Sequence, residues 1–259
     1  MDFLAETAFL TRGLASIKPE ALAAAWPFDT PVLVWVEQGK IIRGTLQDYL
    51  PFRTKAADLP RLDCNILPQV LKTGGSGSLT ASGTMAVCEM LQIPLAVTCG
   101  MGGIGQIHAE QLCADLPALA RYPVALIASS PKDMLDIPAT LQWLTDHGVH
   151  IAGPDCSGWV FRRSPIPLPE SPADYPDQQA IVHAARNGGL LLLNPIVEDR
   201  RIADHSILAQ AIAAGKRAEA AGGDYHPAAN AEIHRLTGGY SACLQLEAFV
   251  DNLRLAASL

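Results

Sequence analysis

No stretch of this sequence reaches the roughly 18 uninterrupted apolar residues that a membrane-spanning helix needs, so no membrane partner is expected. Positive charge is scarce as well. Lys and Arg number 19 against 26 Asp and Glu, a formal charge of -7. That balance argues against a nucleic-acid or acidic-membrane surface, because phosphate backbones require clustered basic residues, although a local anion pocket is compatible with it. Cysteine is sparse and unpatterned. Cys64, Cys88, Cys99, Cys113, Cys156 and Cys243 include no C-x-x-C pair, so neither a zinc knuckle nor a disulfide framework is indicated, and reduced, mostly buried thiols are expected. The start, Met1-Asp2-Phe3-Leu4-Ala5-Glu6, lacks a basic leader and cleavage pattern, which makes the cytoplasm the expected compartment.

What the chain does have is apolar mass. With 259 residues, 49% hydrophobic and 17% charged, it can bury a large core, and one domain spanning residues 1–259 is expected. Strand-like and helix-like stretches alternate without a long linker, internal repeats or low complexity. Val32–Val36 and Lys40–Arg43 flank Glu37-Gln38-Gly39 as a hairpin. Gly74–Ser78 reads as the entry to a helix over Thr80–Gln92, with Met85, Cys88, Met90 and Leu91 on one side. Strands over Ile93–Thr98, Val124–Ala128, Val149–Ala152 and Leu190–Leu193 then alternate with helices over Ala114–Arg121, Pro138–His147 and Gln178–Asn187, in the grammar of βαβ units. The end is helix-rich from His205, and the proline-rich stretch Pro154–Pro176 reads as a loop positioned to cover a site.

Two local patterns carry chemistry. Lys132 follows the buried strand Val124–Ala128 and a Ser129-Ser130-Pro131 turn, at a strand end where α/β proteins gather functional side chains; it reads either as a solvated lysine or as a nucleophile. Gly100-Met101-Gly102-Gly103-Ile104-Gly105 satisfies G-x-G-x-x-G, but the next strand ends in Ala128-Ser129-Ser130 with no carboxylate for a ribose diol. No nucleotide cofactor is therefore expected. These glycines could present backbone amides to an anion or serve a tight turn at positive φ.

Seven blocks in fixed order, Leu4-Ala5-Glu6 through Gly13, Pro31–Gly44, Gly102–Gly105 with His108, Cys113-Ala114-Asp115-Leu116, Lys132 with Met134-Leu135-Asp136, Asn194-Pro195-Ile196, and Leu236–Ser241 with Asn252, carry a resemblance. Together they make the chain similar to the pseudouridine-5'-phosphate glycosidase family, also called indigoidine synthase A-like. The resemblance implies a three-layer α/β/α fold with a mixed, mostly parallel sheet and an antiparallel hairpin. It also implies cleavage or formation of the bond between uracil C5 and ribose C1', with a small-molecule substrate of ribosyl phosphate and base, and a homotrimer. Lys132 would form an imine, which requires a deprotonated amine favoured by desolvation or a neighbouring cation, and Glu6 would be the proton donor. Arg61, the Thr80-Ala81 helix start, His108, Cys113, Ala114, Asp115, Asn194 and Gln245 would contact substrate. A divalent cation such as manganese is implied near Gln111 and Glu110.

Each residue also has a plainer reading. Asp115 could cap the helix that follows it, His108 could pack in its loop, and Asn194 could brace a turn. The chain departs from the family pattern at several positions. Arg61-Leu62-Asp63-Cys64-Asn65-Ile66-Leu67-Pro68 stands where members carry Lys-x-Ser-Arg-Arg-Asp-Leu-Pro, so two arginines are lost and an aspartate gained. Met101 replaces a threonine, Gln245 an asparagine and Gln111 an aspartate. Three functions follow as expectations: the C-glycosidase or its reverse, a relative acting on another base or an unphosphorylated sugar, and a silent sugar-phosphate binding protein.

Overall fold

The computed structural model describes residues 1–105 and 112–259. Its strands are β1 (Phe3–Ala5), β2 (Leu33–Glu37), β3 (Lys40–Gly44), β4 (Arg61–Leu62), β5 (Gly77–Leu79), β6 (Leu95–Val97), β7 (Gly100–Met101), β8 (Ala125–Ala128), β9 (Ser130–Pro131), β10 (His150–Ala152) and β11 (Leu190–Leu193). The helices are α1 (Pro19–Ala25), α2 (Leu46–Ala56), α3 (Leu67–Thr73), α4 (Ala81–Met90), α5 (Asp115–Arg121), α6 (Ile137–Asp146), α7 (Gln178–Arg186), α8 (His205–Ala220), α9 (Tyr225–Leu236) and α10 (Tyr240–Ser258).

Among the described residues the main sheet runs β10-β11-β8-β6-β1-β2-β5-β4, with β3 also paired to β2. From β10 to β2 all neighbours are parallel, whereas β2 pairs antiparallel with both β3 and β5. Alternate side chains serve two cores. Phe3, Leu33, Leu95, Ile127 and Leu192 face the helices α2 and α7 to α10, while Leu4, Val34, Ala96, Leu126 and Leu191 face α3 to α6. This two-sided burial gives the strands apolar residues at consecutive positions, and it yields the three-layer α/β/α arrangement.

Some sequence-based expectations change here. Gly74–Ser78 is not simply a helix entry, because Gly77–Leu79 pairs with β2 and β4 as a strand. Nor does α4 have one apolar side: residues 81–88 are all buried, whereas Met90 and Leu91 are exposed at its end. The thiols divide evenly, with Cys88, Cys99 and Cys156 buried and Cys64, Cys113 and Cys243 at least partly exposed.

The strand ends meet at one place. Glu6, Thr98 and Ser129 directly follow the C-terminal ends of the parallel neighbours β1, β6 and β8. The short parallel pair β7 and β9 then extends beyond the main sheet, and the Lys132 N–H donates to the Met101 carbonyl (3.1 Å). From the other side, the Leu79 N–H donates to Thr7 Oγ1 (3.0 Å), which itself donates to the Val34 carbonyl (2.7 Å). That bridge opens the first turn of α4 beside Glu6.

Asn252, fully buried on α10, ties these ends together. Its amide donates to the Thr98 carbonyl (2.7 Å) and Ser129 Oγ (3.1 Å), and its oxygen accepts from Asn194 Nδ2 (3.0 Å). Losing that side chain strands three polar groups, two of them on the buried residues Thr98 and Ser129. Asn252→Ala should therefore lower unfolding stability by about 2–3 kcal/mol in urea titrations; a loss of under about 0.5 kcal/mol would show that the strand ends hold without it.

Candidate active site

Glu6, Arg61 and Lys132 line one continuous cavity at this junction. Glu6 is held by a hydrogen bond from Thr98 Oγ1 and is only 9% exposed. Burial raises its pKa from the usual 4.5 to about 7, against the opposing pull of the Lys132 charge and the Thr98 hydrogen bond. The carboxyl is thus poised to hold a proton near neutrality. Lys132 is half-buried, and among the described residues its Nζ has no hydrogen-bond or ion-pair partner.

The lysine's setting is rigid. Its neighbour Asp133 is buried and accepts three backbone N–H bonds, from Trp159 (2.9 Å), Val160 (2.7 Å) and Phe161 (3.1 Å). Gly158 supplies the positive φ of +95° that this turn requires, and a Cβ there would meet Asp133 Oδ1 at 2.9 Å. Asp136 caps α6 by accepting the Ala139 N–H (3.0 Å), while its own N–H donates to the Ile104 carbonyl (2.8 Å). Lys132 is therefore followed by two pinned carboxylates, Asp133 and Asp136.

Asp115 neither caps its own helix nor stands free. Its two oxygens accept the N–H groups of Ser82 (2.9 Å) and Gly102 (2.8 Å), joining α4 to the glycine loop at the cavity wall. Gly102 is required by this approach, since a Cβ would lie 2.1 Å from Cys113 Sγ. Positive φ is not the reason for the described glycines that begin this loop: none of Gly100, Gly102 or Gly103 adopts it. Thr80, Ala81, Cys113 and Ala114 also line the cavity, and Thr80 Oγ1 caps α4 by accepting from the Gly83 N–H (3.3 Å).

Two expected contacts lie elsewhere. Asn194 is not on the cavity wall and braces Asn252 instead. Gln245 is fully buried behind Asn230, donating from Nε2 to Asn230 Oδ1 (2.9 Å), so Asn230 is the member of the pair that reaches the cavity. The longer amide is accommodated by retreat from the wall. His108, Glu110 and Gln111 lie outside the described residues.

A metal gains no support from the groups in view. Among the described residues no three His, Cys, Asp or Glu side chains gather as ligands, and both Asp115 oxygens are committed to amides.

Several lining residues escaped the sequence reading. Phe9 and Arg12 come from a π-helical turn over Phe9–Gly13, His226 and Asn230 from the start of α9, and Trp159 from the proline-rich loop. Burial, with the Lys132 and Arg61 charges, drives the His226 pKa well below 6.5, so its ring is neutral at pH 7. Only Trp159 had a signal, through the placement of its loop over a site. The cavity consequently combines a carboxyl that titrates near neutrality, the Lys132 amino group, guanidinium groups and an apolar wall of Phe9, Met134 and Trp159.

The family model for indigoidine synthase A like protein matches residues 28–259. Among curated relatives, pseudouridine-5'-phosphate glycosidase of Methylobacterium nodulans is 31% identical over 242 residues, covering 88% of this chain and 72% of that one. Pseudouridine-5'-phosphate glycosidase 2 of Photorhabdus laumondii is 29% identical, with 88% and 78% covered. Two solved structures share the fold. The prealnumycin C-glycosynthase AlnA, in complex with ribulose 5-phosphate, superimposes with a TM-score of 0.76 at 21% identity, covering 98% of this chain and 89% of that one. An indigoidine synthase A-like protein from Thermotoga maritima gives 0.76 at 18% identity, with 99% and 90% covered. By the extent of these matches, the chain belongs to the indigoidine synthase A-like family, which it shares with the pseudouridine-5'-phosphate glycosidases.

Proposed function

We propose that this chain, acting as one domain, is a C-glycosidase that cleaves the C1'–C5 bond between ribose 5-phosphate and uracil, or forms it in reverse. The observation that carries the reading is that Lys132 and a buried, proton-holding Glu6 share one cavity with Arg61. The named activity of the glycosidase relatives supports it.

The chemistry uses these groups in sequence. The neutral Lys132 amine bonds to C1' and the C1'–O4' bond breaks, with O4' taking a proton and the sugar ring opening. The lysine nitrogen's lone pair then forms C1'=N while the C1'–C5 electron pair leaves with the base, whose C5 takes the Glu6 proton. Water hydrolyses the imine, releasing ribose 5-phosphate and the free lysine. Arg61 and the N-terminal end of α4 would face the phosphate, with Asp115, Cys113 and Ala114 bordering the sugar. A silent binding protein would have no need of a carboxyl held protonated beside an amine. By family, the protein is proposed to work in the cytoplasm as a homotrimer, for which exposed Ile66, Met90 and Leu91 supply apolar surface. A divalent cation at Glu110 and Gln111 remains part of the same family proposal.

Incubation with ribose 5-phosphate and borohydride should add one reduced sugar phosphate to the chain, mapped by mass spectrometry to Lys132 and absent from Lys132→Ala. Labelling only by unphosphorylated ribose would reassign the substrate, and no adduct at all would end the imine reading. A second expectation concerns pH. Because the folded chain binds the Glu6 proton more tightly than the unfolded chain, the associated stability is complete below about pH 4.5 and is lost as pH rises through about 7, a change of about 3 kcal/mol. Glu6→Gln should abolish turnover, and its urea stability should exceed that of the natural chain at pH 8 but not at pH 4.5. In the natural chain kcat/KM should fall on an alkaline limb near pH 7. Equal stability of the two proteins at both pH values would mean that Glu6 is not held protonated by burial.

A further inference from the structure

We propose that Arg12 is a second anion-gripping guanidinium of this cavity, acting with Arg61 on the substrate's phosphate; the proposal rests on the ribosyl-phosphate reading above. Arg12 and Arg61 border the same space as Lys132, and among the described residues neither arginine is in an ion pair. Arg12 uses one nitrogen structurally, donating from Nη2 to the Leu59 carbonyl (2.9 Å), while its buried Nε has no partner. One anchor fixes where the fork lies and leaves donors uncommitted.

The π-helical turn does not need Arg12 for its own integrity. Arg53 holds that turn, donating to the carbonyls of Leu10 (2.8 Å), Leu14 (2.7 Å) and Ile17 (2.9 Å). A guanidinium that secures backbone spends its donors on carbonyls, as Arg53 does with three bonds. Arg12 spends only one in that way, on the Leu59 carbonyl.

The other wall lacks what Arg12 provides. After Arg61 the chain continues Leu62-Asp63-Cys64-Asn65, without another cation, and the Asp63 carboxylate is turned onto the N–H groups of Asn65 (2.8 Å) and Ile66 (2.9 Å). A phosphate dianion bound by Arg61 alone would keep much of its charge uncompensated. A second fork from the π-helical turn supplies the missing charge-assisted hydrogen bonds. This assigns to the first strand's turn a recognition role separate from the proton delivery of Glu6.

The test is titration of inorganic phosphate, followed by Trp159-region fluorescence and calorimetry, on the natural chain, Arg12→Gln and Arg12→Lys. Arg12→Gln should weaken phosphate by about tenfold or more, with Arg12→Lys intermediate. The preference in kcat/KM for pseudouridine 5'-phosphate over pseudouridine should shrink by about tenfold, chiefly through KM. Phosphate affinity of Arg12→Gln within about twofold of the natural chain, or no phosphate binding by the natural chain, overturns the proposal. Should Arg12→Gln fail to fold, Arg12→Lys decides by the same comparison, an unchanged affinity counting against it. If phosphate binding weakens as expected while the natural chain cleaves no pseudouridine 5'-phosphate, the anion role stands and the glycosidase reading falls.

Discussion

The site depends on a competition at Glu6 between desolvation, which favours the neutral acid, and the Lys132 charge and Thr98 hydrogen bond, which favour the carboxylate. Burial wins, and the margin corresponds to about 3 kcal/mol. Were the order reversed, Glu6 would stand as a carboxylate beside Lys132, with no proton to give. The same burial that makes the acid useful also costs stability above neutral pH, an arrangement expected where stability is exchanged for function. Asp115 and Arg61 act on Glu6 in opposite senses and more weakly than burial does.

That competition is set by the sheet. Three parallel strands end side by side, so Glu6, Thr98 and the approach to Lys132 leave the backbone at one level, where crossing helices keep water away. The reversed strand β5 adds a helix start that an all-parallel sheet would have placed elsewhere. Asn252 spans Thr98 and Ser129 from the helix above, so the acid and the lysine are referenced to one frame.

Much of this frame is legible in sequence because it follows from two-sided burial. Val124–Ala128 and Leu190–Leu193 read as strands since every position is apolar, and Lys132 stands out because it follows such a run. β1 does not read that way: three residues before Glu6 are too few to show a period, and its place at the sheet's centre is dictated by long-range pairing with β6 and β2. α4 misleads for a related reason. A helix enclosed through residues 81–88 has no wet face, so its exposed end at Met90 and Leu91 cannot be told from its core by hydropathy. The site residues split likewise. Glu6 and Lys132 sit in blocks whose spacing carries information, whereas Arg12, His226 and Asn230 reach the cavity through a π-helical turn and a helix start whose positions only tertiary packing determines.

Asp133 shows how a charged residue beside the lysine can serve structure. Its carboxylate gathers three N–H groups of the loop bearing Trp159, with Arg163 donating to its carbonyl at 2.5 Å. Burial pushes its pKa up while the three amides and Arg163 pull it down, so the loop's closure and the charge on Asp133 depend on each other. Asp133 therefore couples the lysine segment to the wall that Trp159 forms, and Trp159 Nε1 carries the link onward to Cys99 Sγ (3.3 Å), beside the Thr98 that holds Glu6. Lys132, the Trp159 loop and Glu6 are in this way joined by hydrogen bonds alternating with adjacent residues of the chain, so the loop and the two side chains of the proposed chemistry share one rigid connection.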